Sequence, residues 1–207
     1  MIRWRRRSPR CVSTVTPLLQ RSGVSWDPWV VRLGLATVLV GFLVAGGLLV
    51  PPRLVPPQVV LDGPAEHGAY LRTAERLIAG ATQRIRVTLF VARLDSEGPV
   101  LALCEALAAA AARGVQVRVM LDAGKDRLTG EADRNHAAVA WFVAHGVHVD
   151  RDEDTITSHA KVLVVDGRHV LIGSHNWTRS ALTLNREATI YLNDPGQAAQ
   201  VEAWLDR

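Results

Sequence analysis

The chain has little cysteine, with only two among its 207 residues. Cys11 lies before a long uncharged stretch and Cys104 lies after it, so the sequence predicts no disulfide within one chain. The spacing of zinc ligands is also missing, because no cysteine accompanies His136, His145 or His148. These absences exclude a disulfide scaffold and a zinc-finger protein. The sequence predicts neither a bound metal nor another cofactor.

Acidic residues are nearly absent from the first 57 positions, where eight arginines accompany the single acid Asp27. This segment carries a formal charge of +7, which leaves −3 of the total of +4 to residues 58–207. The pI of about 9.7 therefore does not indicate a basic nucleic-acid-binding domain. Attraction for polyanions requires a local patch, for which the candidates are Arg127, Arg134, Arg179 and Arg186.

Charged residues are absent from Leu33 to Val50, a run of 18 residues. As a helix this run would reach about 27 Å, close to the ~30 Å hydrocarbon thickness of a bilayer. It is apolar on all sides, which predicts a transmembrane helix and not a striped core helix. A cleaved signal peptide is the alternative, although its apolar region is typically about 7–15 residues long after a short basic start.

The arginines before this run predict an N-terminus held in the cytoplasm and a following domain on the other side. The sequence thus predicts a single-pass protein of the cell membrane with an extracytoplasmic domain. The predicted segments are a basic cytoplasmic segment over 1–32, a transmembrane anchor over 33–50, a proline-rich linker over 51–58 and one globular domain over 59–207.

Strand-like and helix-like segments alternate along the globular domain, which predicts an α/β fold. Helices are predicted over 65–79, 100–113, 133–145 and 195–205. Strands are predicted over 59–61, 85–91, 115–121, 147–149, 162–165, 169–172 and 188–192. Cys104 lies among leucines and is predicted to be an unreactive core thiol.

The most informative stretch reads His-Ala-Lys-Val-Leu-Val-Val-Asp from His159, followed by Gly-Ser-His-Asn-Trp-Thr from Gly173. Alternate side chains of a strand share a face, so His159 and Lys161 point together at one bound group. A neutral imidazole nitrogen can attack phosphorus when an acceptor holds the proton on the other nitrogen. Lys161 would offset the charge of a phosphate, while Ser174 and Asn176 would donate hydrogen bonds to its oxygens.

These residues, HxKxxxxD followed by GSxNWT, resemble the HKD motif of the phospholipase D superfamily. The later Asn185-Arg186-Glu187 resembles the small bacterial endonucleases of that superfamily, which carry one motif per chain. The resemblance extends from about residue 60 to the end of the chain. It implies a mixed β-sheet flanked by helices on both faces.

The resemblance also implies a site built from His159, Lys161, Asp166, Ser174, Asn176 and Glu187. In this family pattern His159 is the nucleophile that forms a phosphohistidine. Lys161 and Asn176 hold phosphate oxygens, and Ser174 lines the same pocket. Glu187 orients the histidine, and Asp166 completes the motif with a mainly structural role, because its parity on the strand is opposite to that of His159.

His175 departs from the family pattern, in which an apolar or aromatic residue often stands between the serine and the asparagine. It is either a spare proton carrier or, as we favour, a residue that fills a semi-exposed loop position. Trp177 could stack on a base, but we interpret it as a packing residue beside a buried turn.

One motif per chain leaves the leaving oxygen without an acid while His159 acts as the nucleophile. The resemblance implies a homodimer in which the mate histidine protonates the leaving group, and His175 in that role is the monomer alternative. The predicted function is that of a membrane-anchored phosphodiesterase, an endonuclease that hydrolyses DNA or RNA without a metal. The alternatives are a phospholipid phosphodiesterase or phosphatidyltransferase, and an inactive module that binds phosphate.

Overall fold

A computed structural model describes residues 55–63, 65–123, 133–152 and 157–206. The elements are β1 (Gln58–Asp62), α1 (Ala69–Ala79), β2 (Arg84–Leu89), α2 (Pro99–Ala112), β3 (Gln116–Leu121), α3 (His136–Ala144), β4 (His148–Arg151), β5 (Lys161–Val165), β6 (His169–Gly173), α4 (Arg179–Thr183), β7 (Glu187–Asn193) and α5 (Pro195–Leu205). The predicted anchor over 33–50 and the basic segment before it lie outside the described residues. Within the described ranges, no helix combines the length and the apolar character that a membrane span requires.

The seven strands form one sheet in the order β1-β7-β6-β5-β2-β3-β4. β2, β3 and β4 run parallel, and the crossovers that parallel pairing requires are supplied by α2 and α3. All other neighbours pair antiparallel, including β2 with β5 at the centre of the sheet. The sheet is therefore mixed, which confirms the predicted fold class.

Helices cover the two faces of the sheet unequally. Leu163 and Val165 of β5 face the larger core, which is packed by α1, α2 and α3. Val162 and Val164 face a smaller cluster that includes Ala198 of α5. Every residue of β5 is buried, as its uninterrupted apolar run predicts.

The alanine-rich helix α2 packs one face against the larger core. Leu103, Cys104 and Leu107 are completely buried there. Burial raises the pKa of the Cys104 thiol to about 12, so the thiolate that would react is not formed near neutral pH. The prediction of an unreactive core thiol is confirmed.

Helix α1 begins at Ala69, four residues later than predicted. Gly68 has a φ of 78°, a left-handed conformation that interrupts the helix on its N-terminal side. The carboxylate of Asp62 accepts hydrogen bonds from the N–H groups of Ala69 at 2.8 Å and Tyr70 at 2.9 Å. Asp62 thus caps the helix from another element, which a local sequence pattern does not reveal.

Asp166 closes the turn after β5, at the end of this strand opposite to Lys161. Its carboxylate accepts hydrogen bonds from the backbone N–H groups of Thr82, Gln83 and Arg84 at 2.8–3.0 Å and from the Thr82 hydroxyl at 3.0 Å. Burial acts to raise the pKa of Asp166, but these hydrogen bonds together lower it below its ordinary value. The carboxylate therefore joins the turn to the start of β2.

We expect Asp166→Asn to destabilise the fold while leaving the activity of each folded molecule within about twofold of wild type. Asparagine tolerates the φ of 52° found here, so the variant tests the loss of the charged acceptor and adds no backbone strain. The free energy of unfolding at pH 7 should fall by about 1–3 kcal/mol in urea titrations. The folded pKa is lowered, so this difference should persist above the unfolded value of ~3.9 and disappear as the pH falls through the folded value. A loss of turnover at unchanged stability would instead place Asp166 in the reaction.

Candidate active site

The motif residues gather at the edge of the sheet formed by the carboxyl ends of β2 and β3. Lys161, the first residue of β5, pairs with the last residue of β2. Gly173, the last residue of β6, pairs with Thr189 of β7, and Asp62 of β1 pairs with Glu187. Segments more than 100 residues apart in the chain thus meet at this edge.

His159 and Lys161 are in direct contact, as the sequence predicts, although β5 begins at Lys161 and His159 precedes it. The Lys161 ammonium lies 3.1 Å from Nδ1 and 3.2 Å from Nε2 of His159 and donates to the His159 carbonyl oxygen at 2.6 Å. The imidazole is exposed, whereas Lys161 is only 7% exposed. An accessible imidazole and a largely buried ammonium therefore lie side by side.

Phe90, which follows β2, forms an aromatic platform under this pair. Its ring centroid lies 4.5 Å from that of His159 and 5.1 Å from the Lys161 ammonium. The Arg134 guanidinium lies 4.8 Å from the same centroid, which supplies a second cation beside the site. Of the four arginines proposed for a local patch, Arg134 therefore contacts the same ring as His159 and Lys161.

The pKa of Lys161 is lowered from its ordinary value because burial disfavours the ammonium, and the nearby Glu187 carboxylate only partly offsets this effect. A cation that has lost part of its hydration interacts strongly with an incoming anion. Lys161 is therefore suited to hold a phosphate oxygen.

Ser174 and Glu187 are connected by a hydrogen bond at the same edge of the sheet. The Ser174 hydroxyl donates to one oxygen of Glu187, and the Asn185 amide donates to the other at 3.0 Å. The predicted contact between Glu187 and His159 is not among these hydrogen bonds, so that role stays a prediction. Gly173 allows the close approach of β6 and β7, because a Cβ there would lie 2.3 Å from the Ala188 carbonyl oxygen.

The orientation of the Asn176 amide follows from its hydrogen bond. Its Oδ1 accepts from the Val91 backbone N–H at 3.3 Å, which leaves the amide nitrogen as a donor for a bound oxygen. The segment that carries Val91 is held by the buried Asn135, whose side chain accepts from Ala92 N–H at 2.8 Å and donates to the Phe90 carbonyl at 3.0 Å. Sequence reasoning missed both Phe90 and Asn135, since neither belongs to a motif.

The structure corrects the interpretation of His175 as a residue of a semi-exposed loop. The imidazole is completely buried, and its two nitrogens face Asp62 at 3.0 Å and Thr189 at 2.7 Å. The same burial argues against the monomer alternative, in which His175 would protonate a leaving group. Trp177 is also completely buried and donates its indole N–H to the Tyr70 hydroxyl at 3.1 Å, which confirms packing and excludes base stacking.

Two grooves open beside these residues. A groove of about 610 Å³ includes His159 and continues past Met120 and Leu205 to Trp204, which is 52% exposed. A second groove, also of about 610 Å³, is lined by Ser174 and Glu187 together with Leu61, Asp62, Gly63, Ala65, Glu66, Arg186 and Ala188. Both are large enough to accept part of a substrate around the reacting atoms.

Comparison with protein families matches residues 75–207 to the family described as "Cardiolipin synthase, PLD-like domain". Among curated proteins, the chain is 33% identical over 95 residues to a mitochondrial cardiolipin hydrolase of Chlamydomonas reinhardtii. The aligned region covers 46% of this chain and 40% of the relative. The chain is also 32% identical over 169 residues to cardiolipin synthase A of Pseudomonas aeruginosa. That aligned region covers 75% of this chain and 32% of the synthase. The chain thus spans less than half the length of these two relatives.

Among solved structures, the chain is similar to Nuc, a phospholipase D family member from Salmonella typhimurium. The two share 28% sequence identity with a TM-score of 0.58, and the match covers 73% of this chain and 94% of that one. NucT from Helicobacter pylori matches with a TM-score of 0.56 at 16% identity, which supports the fold alone.

Proposed function

Because the chain belongs to the family of phospholipase D-like domains represented by cardiolipin synthase, we propose that it is a phosphodiesterase that works through a phosphohistidine. The observation that carries this proposal is the contact between the exposed His159 and the buried Lys161 at the edge shared with Ser174, Asn176 and Glu187. This arrangement combines a nucleophile, a cation and hydrogen-bond donors around one anion.

In the proposed reaction, a neutral nitrogen of His159 attacks phosphorus and forms a P–N bond as one P–O bond breaks. The Lys161 ammonium and the Asn176 amide hold phosphate oxygens as charge builds on them. The leaving oxygen takes a proton from a general acid. The resulting base then removes a proton from water, which attacks phosphorus, breaks the P–N bond and restores His159.

The general acid in this scheme is His159 of a second copy of the chain. His175 is unsuited to the role, since it is completely buried and both ring nitrogens are occupied. A twofold axis beside the exposed edge brings the two equivalent histidines together without any further sequence element. The proposed enzyme is therefore a homodimer.

We propose nucleic acid as the substrate, with an endonuclease reaction. The groove that starts at His159 ends at the exposed ring of Trp204, which offers a stacking surface to a base near the scissile phosphate. Arg134, beside Phe90, supplies a cation near His159, while Arg151 along the same groove is paired with Asp133 at 2.9 Å.

We expect Trp204→Ala to raise the KM for single-stranded DNA about 5- to 100-fold, because stacking of one base contributes about 1–3 kcal/mol. Turnover of the small diester bis(p-nitrophenyl) phosphate should change less than twofold. Trp204→Phe retains an aromatic face and should recover most of the affinity for DNA. Equal losses on both substrates would contradict a role in base stacking.

A phospholipid is the second candidate substrate. An apolar row of exposed residues lies on the same face of the sheet as α5, on the part of that face that α5 does not cover, next to the groove that contains Ser174 and Glu187. The row consists of Val59, Leu61, Ile172 and Ile190, which are 37–63% exposed. Such a surface favours contact with acyl chains at a membrane.

A parallel assay of the purified full-length chain tests the proposed function. Single-stranded DNA, RNA, plasmid DNA and vesicles containing cardiolipin are incubated separately in excess chelator. We expect cleavage of a nucleic acid, no effect of the chelator, and a labelled phosphohistidine after rapid acid quenching. Turnover of the vesicles alone would select the lipid candidate, and binding without turnover would select an inactive phosphate-binding module.

We further propose that residues 33–50 anchor the chain with its catalytic domain outside the cytoplasm. The charge-free run and the arginines before it support this topology. Alkaline phosphatase fused after residue 57 should be active in a bacterial host, since that enzyme requires an oxidising compartment. An inactive fusion in the soluble cytoplasmic fraction would contradict the anchor.

A further inference from the structure

A polar cluster lies buried behind the active-site edge and takes no part in the reaction described above. It consists of Asp62 at the end of β1, His175 between Ser174 and Asn176 of the motif, and Thr189 in β7. All three residues are at most 6% exposed. Buried ionisable groups are costly to a fold unless they are paired, so their presence calls for a specific role.

The hydrogen bonds of the cluster fit one neutral form of His175. Nε2–H donates to Asp62 at 3.0 Å, and Nδ1 accepts from the Thr189 hydroxyl at 2.7 Å. Burial lowers the pKa of His175, although the Asp62 carboxylate opposes this effect. The ring also stacks on Tyr70, with centroids 4.4 Å apart and planes 13° from parallel.

Asp62 is itself held rigidly by the start of α1. Its two oxygens accept from the N–H groups of Ala69 and Tyr70 at 2.8 and 2.9 Å, in addition to the bond from His175. The imidazole is therefore fixed between a helix start and β7, with its ring packed against a third side chain. Little freedom remains for the backbone of residue 175.

This restraint acts on both neighbours of His175. On one side, Ser174 donates its backbone N–H to the Ala188 carbonyl at 3.0 Å and its hydroxyl to Glu187. On the other side, the Asn176 side-chain oxygen accepts from the Val91 backbone N–H. The backbone N–H of Trp177 donates to the Val91 carbonyl at 3.0 Å. A shift of residue 175 would displace Ser174 and Asn176 together, because one residue separates them.

One member of the cluster, Asp62, lies outside the region matched to the family. The match begins at residue 75, whereas Asp62 belongs to the edge strand β1. β1 is an end strand of the described sheet and pairs with β7. The last residue of β1, Asp62, contacts His175 of the motif. Through this contact, β1 helps to position the residues on either side of His175.

We propose that Asp62, His175 and Thr189 form a buried positioning unit that holds Asn176 in the geometry required to bind the substrate phosphate and holds Ser174 against Glu187. The unit acts through these two residues and does not touch the substrate. This role rests on the proposed phosphodiesterase function, because it concerns the phosphate grip of that same site.

Two variants of the full-length chain remove the hydrogen bonds and retain the shape of the cluster. His175→Phe keeps a ring against Tyr70, and Thr189→Val replaces one hydroxyl with a methyl group. Thr189→Ser restores the hydroxyl. Val170→Ala is the matched control, since it opens a small cavity in the separate cluster under α5 and lowers stability without touching the motif.

We expect His175→Phe and Thr189→Val to lower kcat for bis(p-nitrophenyl) phosphate about 10- to 100-fold, since misplacement of binding groups by a fraction of an ångström is sufficient for such losses. KM should rise by no more than about tenfold, Thr189→Ser should recover kcat to within about threefold of wild type, and Val170→Ala should lower the melting temperature but not kcat. Unchanged kcat in the first two variants, or an equal loss of kcat in Val170→Ala, would overturn the proposal.

Two readouts separate this proposal from the proposed function. Nitrogen NMR of the imidazoles should show His175 with its proton on Nε2 and with Nδ1 accepting a hydrogen bond. Binding of inorganic phosphate, followed by phosphorus NMR, should weaken about tenfold in His175→Phe and not in Val170→Ala. A chain without turnover that shows both effects retains the positioning unit, whereas a His175 that exchanges freely between its two tautomers or unaltered phosphate binding contradicts it.

Discussion

Replacement of His159 by alanine is expected to reduce phosphodiester cleavage by about 10⁴-fold or more. Loss of a nucleophile removes the covalent route entirely, and such losses in other enzymes reach about 10⁶-fold. The imidazole is exposed at the edge of the sheet, so the substitution should leave the fold intact. Initial rates under chelation, together with far-ultraviolet circular dichroism, measure both effects.

The same variant tests whether two chains share one site. When wild-type and His159→Ala subunits are mixed and allowed to exchange, a site that needs both histidines gives activity proportional to the square of the wild-type fraction. A site complete within one chain gives a linear dependence. A linear result would contradict the proposed role of the mate histidine as the general acid.

An exposed histidine far from the motif supplies the control. His148 lies on the edge strand β4 and is paired with Asp150 at 3.2 Å. His148→Ala should retain activity to within about twofold. A comparable loss in both variants would show that the effect of His159→Ala does not arise from its place in the site.

Replacement of Lys161 by methionine is expected to lower activity about 10²- to 10³-fold and at the same time to stabilise the fold. The activity falls because the cation that holds a phosphate oxygen is lost. The stability rises by about 1 kcal/mol at pH 7, because an ammonium that is only 7% exposed costs more than an apolar chain of similar length. Urea titrations and initial rates check the two opposite effects.

The pH dependence of this stabilisation has a definite sign. The folded pKa of Lys161 lies below its unfolded value of ~10.4, so the charged form is penalised only in the folded state. The advantage of Lys161→Met should be full at pH 7, should narrow once the pH passes the folded pKa, and should vanish above ~10.4. Arg93→Met, at an exposed position, should show no such trend. A less stable Lys161→Met chain would mean that the contacts of the ammonium outweigh its burial.

Local sequence patterns predicted most of the secondary structure, because apolar periodicity and capping residues act within a few positions. The main errors occur where a distant residue decides the outcome. Helix α1 starts at Ala69 since Asp62, on β1, caps it there. Propensity alone carries no information about such partners.

For the site, the motif predicted the pair that meets most closely. The HxK spacing brings His159 and Lys161 together, although β5 begins at Lys161 and His159 belongs to the segment that leads into it. His175 was misread because its surroundings depend on β1, whose Asp62 is 113 positions away in the chain. Its burial follows from the order of strands in the sheet and not from its neighbours in sequence.

The sequence by itself determined the class of chemistry, through the spacing of His159, Lys161, Ser174 and Asn176, and the α/β character, through alternating apolar periods. Only the tertiary structure decided how these groups are supported. Phe90, Asn135 and Asp62 reach the site from separate elements. The physical reason is that hydrogen bonds and packing act over a few ångströms in space, and which distant segments come within that range is set by the order of strands in the sheet.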